Sequence, residues 1–443
     1  MSDFDYRAGR HKQPIWKVIL KVIGALLLIA TIFVGIYTLY ARHRLNNFLK
    51  TATETTKETQ SYSVATLKTS SFNEISRLKD KKIGFLSTNP YLEKAEKKLR
   101  EAVDYRTGLE NDPEALLENL RDGNDFLAIA LESNYFDELS GETSPTSQSS
   151  ETSQLDDLKI IYTFEITLDD EIAEGDETPS PLSEPFVAYI SGSDSRGDLS
   201  QTARSDVNIL AVVNPKTAKI LLINTPRDYY VQLHGTTGTK DKLTHAGVYG
   251  TKMSKNTLED LYGVNVDYTV KVGFKAVSGI VNAIDGIDLD SDQELTLKTE
   301  GKDPKTCHFI VGVQHVDGDC ALRFARERKS YASGDRHRGE NQQQVIEKVV
   351  SKISSNKGYL LKWAEILGAV EGSLEISAPF EDVSKFVRDQ IKSPKNWQVE
   401  SIAVDGTGSM QPTYSMGSRP LYVMIPDEAT VAAAKAKIAE YLK

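Results

Sequence analysis

A mixed-sheet α/β fold is what this 443-residue sequence predicts, on three observations. Runs rich in branched residues at Phe186–Ile190, Val207–Val213 and Ile220–Ile223 read as buried strands, and the Asn214-Pro215 turn joins the last two as a hairpin. Helical patterns at Phe274–Ile284 and Asn341–Ser354 add crossover connections to that hairpin, so the sheet should contain both strand senses. A strand at Leu421–Ile425 and an Ala-rich helix at Glu428–Leu442 (EATVAAAKAKIAEYL) close the chain. Together these predict an α/β/α sandwich with a mixed central sheet over residues 186–443.

A smaller α/β unit is expected upstream, over residues 61–168. Ile83–Ser87 reads as a short buried strand, and Tyr91–Val103 has the apolar spacing and charge pairs of an amphipathic helix. Asp112-Pro113 supplies a cap and a first-turn proline for a helix running to Leu120, and Gly123 stops it. Phe126–Leu131 and Ile160–Ile166 are further strands. Residues 140–154 (SGETSPTSQSSETSQ) form a low-complexity loop, and 169–185 an acidic linker with Pro179, Pro181 and Pro185.

The N-terminal part reads differently. Val22–Tyr40 is 19 uncharged, mostly apolar residues, long enough to span a bilayer as a helix. Residues 1–21 carry Arg7, Arg10, Lys12, Lys17 and Lys21, so the segment is expected to be an uncleaved signal-anchor with a cytoplasmic tail and the remainder extracellular. Arg42, Arg44 and Lys50, at the start of a polar stalk over 41–60, vote the other way.

The formal net charge of -10 argues against general nucleic-acid binding, which needs a strongly basic domain. Cys307 and Cys320 lack metal-site spacing and are either two separate thiols or one disulfide, the latter only in an oxidising compartment. No P-loop, nucleophile elbow or dinucleotide fingerprint is present.

Against that acidic background, Phe324–Gln344 is conspicuous for Arg326, Arg328, Arg336 and Arg338, beside Glu327 and Asp335. Guanidinium forks suit phosphate oxygens. Three other patches fall at expected strand ends, where α/β sheets form ligand sites: YISGSDSRGD with Asp194, ARSDVNIL with Arg204 and Asp206, and NTPRDY with Arg227. Asp194 and Asp206 can offer hard oxygens to a divalent cation that takes its other ligands from phosphate and water. The arginines can neutralise the remaining charge. Arg326 and Arg328 share a face if their backbone is extended, and Arg338 and Gln342 share a helix face that continues through Val345 and Val349. Taken singly, an Asp at a strand end reads as a turn or cap and an arginine as a solvated ion-pair partner. In KDKLTHAGVYG, Lys242 is a further candidate phosphate ligand and His245 a structural residue.

The segments ISGSDSRGDLSQTARSDVNILAVVNPKTAKILLINTPRDYYV, KDKLTHAGVYG, TLEDLYGVNVDY and ALRFARERKSYASGDRHRGENQQQ resemble the LytR–CpsA–Psr (LCP) family, in particular its streptococcal capsule-associated CpsA type. The resemblance implies an LCP-type sandwich in a membrane-anchored, extracytoplasmic transferase of Gram-positive bacteria. It implies a polyprenyl-pyrophosphate-linked glycan as donor, peptidoglycan as acceptor and a hydrophobic tunnel for the lipid. Capsule-assembly membrane proteins are added as candidate partners, with no nucleic acid. Asp194 and Asp206 would then hold Mg2+. Arg204, Arg227, Lys242, Arg326, Arg328, Arg338 and Gln342 would contact the pyrophosphate, with Asp206 and Arg227 in catalysis and Asp206 or a nearby carboxylate as base. Phosphoryl and glycosyl transfer both remain open, as do a non-catalytic lipid-binding regulator and a lipid pyrophosphatase. His337 and Glu340 depart from the family pattern and alter the local charge.

Overall fold

The computed structural model describes residues 40, 43, 46–47, 50–53, 57–123, 125–139, 155–168, 179–193, 199–299, 303–356, 358–359 and 363–443. The apolar segment 22–40 apart from Tyr40, the loop 140–154, residues 169–178 of the acidic linker and Asp194 lie outside the described residues. Among the described residues no helix is long and apolar enough to cross a membrane.

The first unit is a five-stranded sheet of β1 (Thr59–Leu67), β2 (Lys82–Leu86), β3 (Arg106–Glu110), β4 (Ala128–Glu132) and β5 (Leu158–Thr167), in the order β3-β2-β4-β1-β5. Alternation along β4 divides its two faces. Ala128 and Ala130 join Ile83 and Phe85 beneath helix α1 (Leu92–Arg100), while Ile129 and Leu131 join Leu116, Leu117 and Leu120 of α2 (Pro113–Asp122). The signals at the ends of α2 act as expected. The Asp112 carboxylate accepts from Glu114 N at 2.8 Å, and Gly123 ends the helix in the left-handed conformation at φ 64°. The short α3 (Ser133–Leu139) follows β4.

The second unit is built on a six-stranded sheet. Its strands are β6 (Phe186–Ser193), β7 (Ser205–Asn214), β8 (Lys219–Asn224), β11 (Tyr268–Val272), β16 (Leu374–Ile376) and β17 (Gln398–Ala403), in the order β16-β11-β6-β7-β8-β17. The two-residue strands β9 (Tyr230–Val231) and β10 (Asp241–Lys242) pair beside it. β6, β7 and β8 run antiparallel, with Asn214 Oδ1 accepting from Lys216 N and Thr217 N in the connecting turn. β11 is parallel to β6 and β17 to β8, so the sheet is mixed.

After the single turn α4 (Leu243–Ala246), α5 (Thr251–Tyr262) and the C-terminal α11 (Glu428–Tyr441) cover one face, packing on Tyr189, Leu210, Val212, Leu221 and Ile223. The other face is covered by α6 (Phe274–Ala283), α8 (Asp335–Ser355), α9 (Trp363–Val370) and α10 (Phe380–Lys392), through Ala276, Ile346, Val370 and Val383. A satellite core lies under α7 (Gly318–Ala325) and the paired strands β12 (Ile287–Ser291) with β15 (Gly312–Val316) and β13 (Leu295–Lys298) with β14 (Thr306–Phe309). A Cys307–Cys320 disulfide ties β14 to α7 across a Cα separation of 5.6 Å. The last pair, β18 (Gly406–Thr413) and β19 (Gly417–Pro426), is an antiparallel ribbon.

Two boundaries differ from the sequence expectation. β1 begins at Thr59, inside residues read as stalk, and pairs by backbone hydrogen bonds with Ser200 and Thr202 of the second unit. Helix α8 starts at Asp335, six residues before the apolar periodicity at Asn341, because its first turns are polar and face the site described next.

Candidate active site

One edge of the six-stranded sheet collects the end of β6, the start of β7 and the ends of β8, β11 and β17. Helix α8 begins against that edge. Gly339 makes the approach: a Cβ there would meet the Asn224 side chain at 2.0 Å, so only glycine lets the first turns lie against the end of β8.

This placement brings Asp206, Arg227, Asp335 and Arg338 together. Arg227 Nη1 donates to Asp206 Oδ1 at 2.9 Å, and Arg338 Nη2 donates to the Asp206 carbonyl at 3.2 Å. Arg338 Nη2 also lies 2.6 Å from Asp335 Oδ1, and Arg227 Nε stands 3.6 Å from that oxygen and 3.7 Å from Asp228 Oδ2. The charges are close but not all aligned for hydrogen bonding. Asp335 Oδ1, Arg227 Nε and Arg338 Nε are buried and make no hydrogen bond among the described residues.

Burial and charge oppose each other at every member. Burial alone would raise the Asp206 carboxyl, but Arg227, Arg338 and Arg204 overcome it and hold it down at about 2. Asp206 is therefore held in its ionised form by the surrounding guanidinium groups. At Asp335 burial wins. Arg338 and Arg227 pull down, Asp228 and Asp206 push up, and the carboxyl stays raised. Burial likewise opposes the charge on Arg227, yet Asp206, Asp228 and Asp335 outweigh it and raise its pKa.

Arg328 is the exception among the arginines. Burial and the charges of Arg227 and Arg338 lower its pKa, and the more distant Asp335 and Asp206 do not compensate. No carboxylate is within ion-pair distance of it among the described residues. With Lys242 buried and 3.2 Å from Asp228 Oδ1, the cluster sets, among the described residues, four cations (Arg227, Arg328, Arg338, Lys242) against three carboxylates (Asp206, Asp228, Asp335). A half-buried guanidinium repelled by its neighbours is stabilised by an incoming anion.

The other anticipated residues are placed as follows. Arg326 caps α7 in helical geometry, so it does not share an extended face with Arg328, and its guanidinium stacks on Phe274 with 4.0 Å to the ring centroid. Phe274 follows the end of β11, which keeps Arg326 at the same sheet edge. Arg204 lines a small cavity between the two units with Glu132, Tyr135 and His245, and its charge still reaches Asp206. Gln342 makes no side-chain hydrogen bond among the described residues, whereas the adjacent Gln343 is tied to the Leu222 and Ile402 carbonyls. Arg336 pairs with Asp405 at 2.8 Å, and His337 stacks on Tyr331. His245 is buried and bonded to Asp241 and Ser415, a structural setting.

Three participants were not singled out from sequence. Asp228 adjoins Arg227 in NTPRDY, Asp335 precedes Arg338 by three positions on one helix face, and Asp405 comes from the distant end of β17. Only the first two had a local signal. For a divalent cation, ionised Asp206 is a suitable hard-oxygen donor, and the buried Asp335 Oδ1 is another. Among the described residues no group of three acidic, His or Cys side chains could hold a metal alone. The protein thus fits a cation that completes its shell with ligand oxygens and water.

Residues 158–431, more than half of the chain, match the family described as LytR_cpsA_psr. A polyisoprenyl-teichoic acid–peptidoglycan teichoic acid transferase, TagU, of Enterococcus faecalis is 32% identical over 230 residues, covering 52% of this chain and 72% of that protein. The Bacillus cereus (strain AH820) TagU is 32% identical over 221 residues, covering 49% and 69%. Among solved structures, Bacillus subtilis TagV is 25% identical with a TM-score of 0.49, covering 59% of this chain and 98% of TagV. The family match runs from the start of β5 into the first turn of α11 and includes the sheet edge that carries the charged cluster, and the chain belongs to the LytR_cpsA_psr family.

Proposed function

We propose that the protein moves a glycan from a polyprenyl-pyrophosphate carrier to peptidoglycan, as an extracytoplasmic, membrane-anchored enzyme. The observation that carries this reading is the cationic excess among the described residues of the sheet edge, with Arg328 repelled by Arg227 and Arg338 while two buried guanidinium Nε atoms find no hydrogen-bond partner among those residues. A pyrophosphate supplies the negative charge and acceptor oxygens that such a cluster needs. The family match and the transferase names of the relatives support the same reaction class.

An apolar cavity of about 330 Å³ supports the lipid half of the substrate. It is lined by Phe186, Val213, Ile220, Val349, Phe386 and Trp397, between the sheet, α8 and α10. Val349 lies 11 residues beyond Arg338 on α8, or roughly 16 Å along the helix. A polyprenyl chain leaving a pyrophosphate at Arg338 would follow the helix into it. The Cys307–Cys320 disulfide is consistent with an oxidising compartment outside the cell. The capsule-type reading, with capsule or wall polysaccharide as the glycan, rests on the accessory unit upstream of the family match and on the resemblance noted from sequence.

In the proposed reaction an acceptor hydroxyl attacks the sugar-bearing phosphorus. A new O–P bond forms, the P–O bond to polyprenyl phosphate breaks, and the hydroxyl proton passes to a carboxylate. Asp335 suits that proton better than Asp206, because burial raises its pKa whereas arginines hold Asp206 at about 2. Arg227, Arg328 and Arg338 stabilise charge on the departing polyprenyl phosphate. Mg2+ held by Asp206 and Asp194 would neutralise the pyrophosphate when bound.

The test uses purified protein, lipid-linked glycan and a peptidoglycan acceptor. Arg227→Ala should lower transfer about a hundredfold or more. Asp335→Asn should abolish the acid limb of the pH–rate profile, a limb lying above the ordinary carboxylate range. Unchanged transfer in Arg227→Ala, or free glycan phosphate in place of attached glycan, would exclude the assignment.

A further inference from the structure

The ribbon β18–β19 forms one side of the candidate active site, and its open face has a composition that the pyrophosphate reading does not use. Asp405, just before β18, pairs with Arg336, and Met424 N donates to the Asp228 carbonyl at 2.7 Å. Met424 also bridges to Tyr229, so the ribbon is fastened to the segment that carries Arg227 and Asp228. Gly408, Met410, Tyr422 and Met424 share one face, with Gly408 opposite Met424 and Met410 opposite Tyr422.

That face presents an aromatic ring to solvent beside the charged cluster. Tyr422 is 46% exposed and Met410 59%. The Tyr422 side chain reaches across Gly408, where a Cβ would meet its Cε2 and hydroxyl oxygen at 2.9 Å, so the glycine leaves room for it against the strand. Tyr422 is also close enough to Asp228 and Asp335 for their charges, after burial, to raise its hydroxyl pKa. A flat aromatic surface on a rigid two-stranded support, next to an anion site, suits a ligand with one apolar face and a polar rim.

We propose that Tyr422, with Met410 beside it, is the stacking platform for the sugar ring attached to the pyrophosphate of the lipid-linked donor. The proposal rests on the pyrophosphate reading above and adds the subsite where donor sugars are discriminated. A pyranose has an apolar C–H face that packs on an aromatic ring, and hydroxyls at its rim. The partly exposed Arg336–Asp405 pair is the polar partner at the start of the same ribbon. The commitment to the donor sugar follows from position. Tyr422 is two residues from Met424, whose N–H bonds the carbonyl of Asp228, and the Asp228 carboxylate stands 3.7 Å from Arg227, so the group that reaches the ring is the one bonded to the phosphate.

The test compares two synthetic probes on the same short polyprenyl chain, the pyrophosphate alone and the pyrophosphate bearing one N-acetylhexosamine. Tyr422→Ala should weaken the sugar-bearing probe about tenfold and leave the bare pyrophosphate within about twofold. Tyr422→Trp should retain sugar binding. Met410→Ala, an exposed change that does not touch Gly408, should weaken only the sugar-bearing probe. Equal weakening of both probes by Tyr422→Ala, or of neither, overturns the platform, as does selective loss of affinity for soluble peptidoglycan fragments or for lipid vesicles. An Arg227→Ala protein that still binds both probes would instead refute the pyrophosphate reading itself.

Discussion

Half-buried Asp206 and buried Glu132 are two carboxylates with opposite fates, and the difference lies in their surroundings. Asp206 has Arg227 and Arg338 in contact and stays at about 2. Glu132, at the end of β4, is fully buried, and burial pushes it up to about 7. The sign of its effect on stability follows. Between the ordinary carboxylate value and about 7 the folded protein holds a proton that the unfolded chain has lost, so stability falls as pH rises through that window. Above pH 7 the cost levels off at about 3 kcal/mol, by the size of the shift. Glu132→Gln should therefore raise the melting temperature at pH 8 and leave it nearly unchanged at pH 4. Melting curves at both pH values check this, and equal shifts at the two would contradict the assignment. At this scale the sequence was partly legible. Arg227, Arg338 and Lys242 stood in recognisable segments, but the ion-pair partner of Arg336 is Asp405, 69 residues away, and no local pattern announces it.

Elements were readable where their ends carry chemical signals. Asp112-Pro113 and Gly123 bounded α2 because capping and left-handed geometry are local effects. The runs of branched residues in β6, β7 and β8 made them visible, and Asn214 made the turn between β7 and β8 visible. The strands β12 to β15 went unread because they are only four or five residues long and their outward positions are polar or exposed. Their support is the disulfide between β14 and α7. A Cys307→Ser, Cys320→Ser double variant should lose about 3 kcal/mol, from chain-entropy arguments for a loop of this size. The intact mass of non-reduced, thiol-blocked protein should show no label in the wild type. Two labelled thiols, or an unaltered denaturation midpoint in the variant, would show that the bridge is not formed or not needed.

Over the whole molecule, the two α/β units are joined by buried polar contacts that should make them unfold together. Glu58 precedes β1, yet its carboxylate accepts from Thr251 N at 2.8 Å at the start of α5 and from Lys271 Nζ at 2.7 Å in β11. Gln60 donates to the Val248 carbonyl, and Tyr91 to the Tyr249 carbonyl. Lys271 is 8% exposed, so removing its partner leaves a buried charge unpaired, at a cost of about 3–5 kcal/mol. Calorimetry of the wild-type protein should give one transition. Glu58→Ala should lower it and split off the first unit, and a variant trace superposable on the wild type would show that the clamp carries no coupling.

The sequence by itself determined the fold class, the mixed sheet, the helix caps and the segments from which the charged cluster is assembled, because periodicity, capping and turn chemistry act over a few residues. Tertiary structure alone decided which charges meet. It separated Arg326 from Arg328 by ending α7 in helical geometry, and it brought Asp335 and Arg338 against the start of β7 through the glycine at position 339. It also holds the Asp206 carboxyl down and leaves that of Asp335 raised. Desolvation and Coulomb attraction depend on distances between segments far apart in the chain, and only the folded arrangement sets those distances.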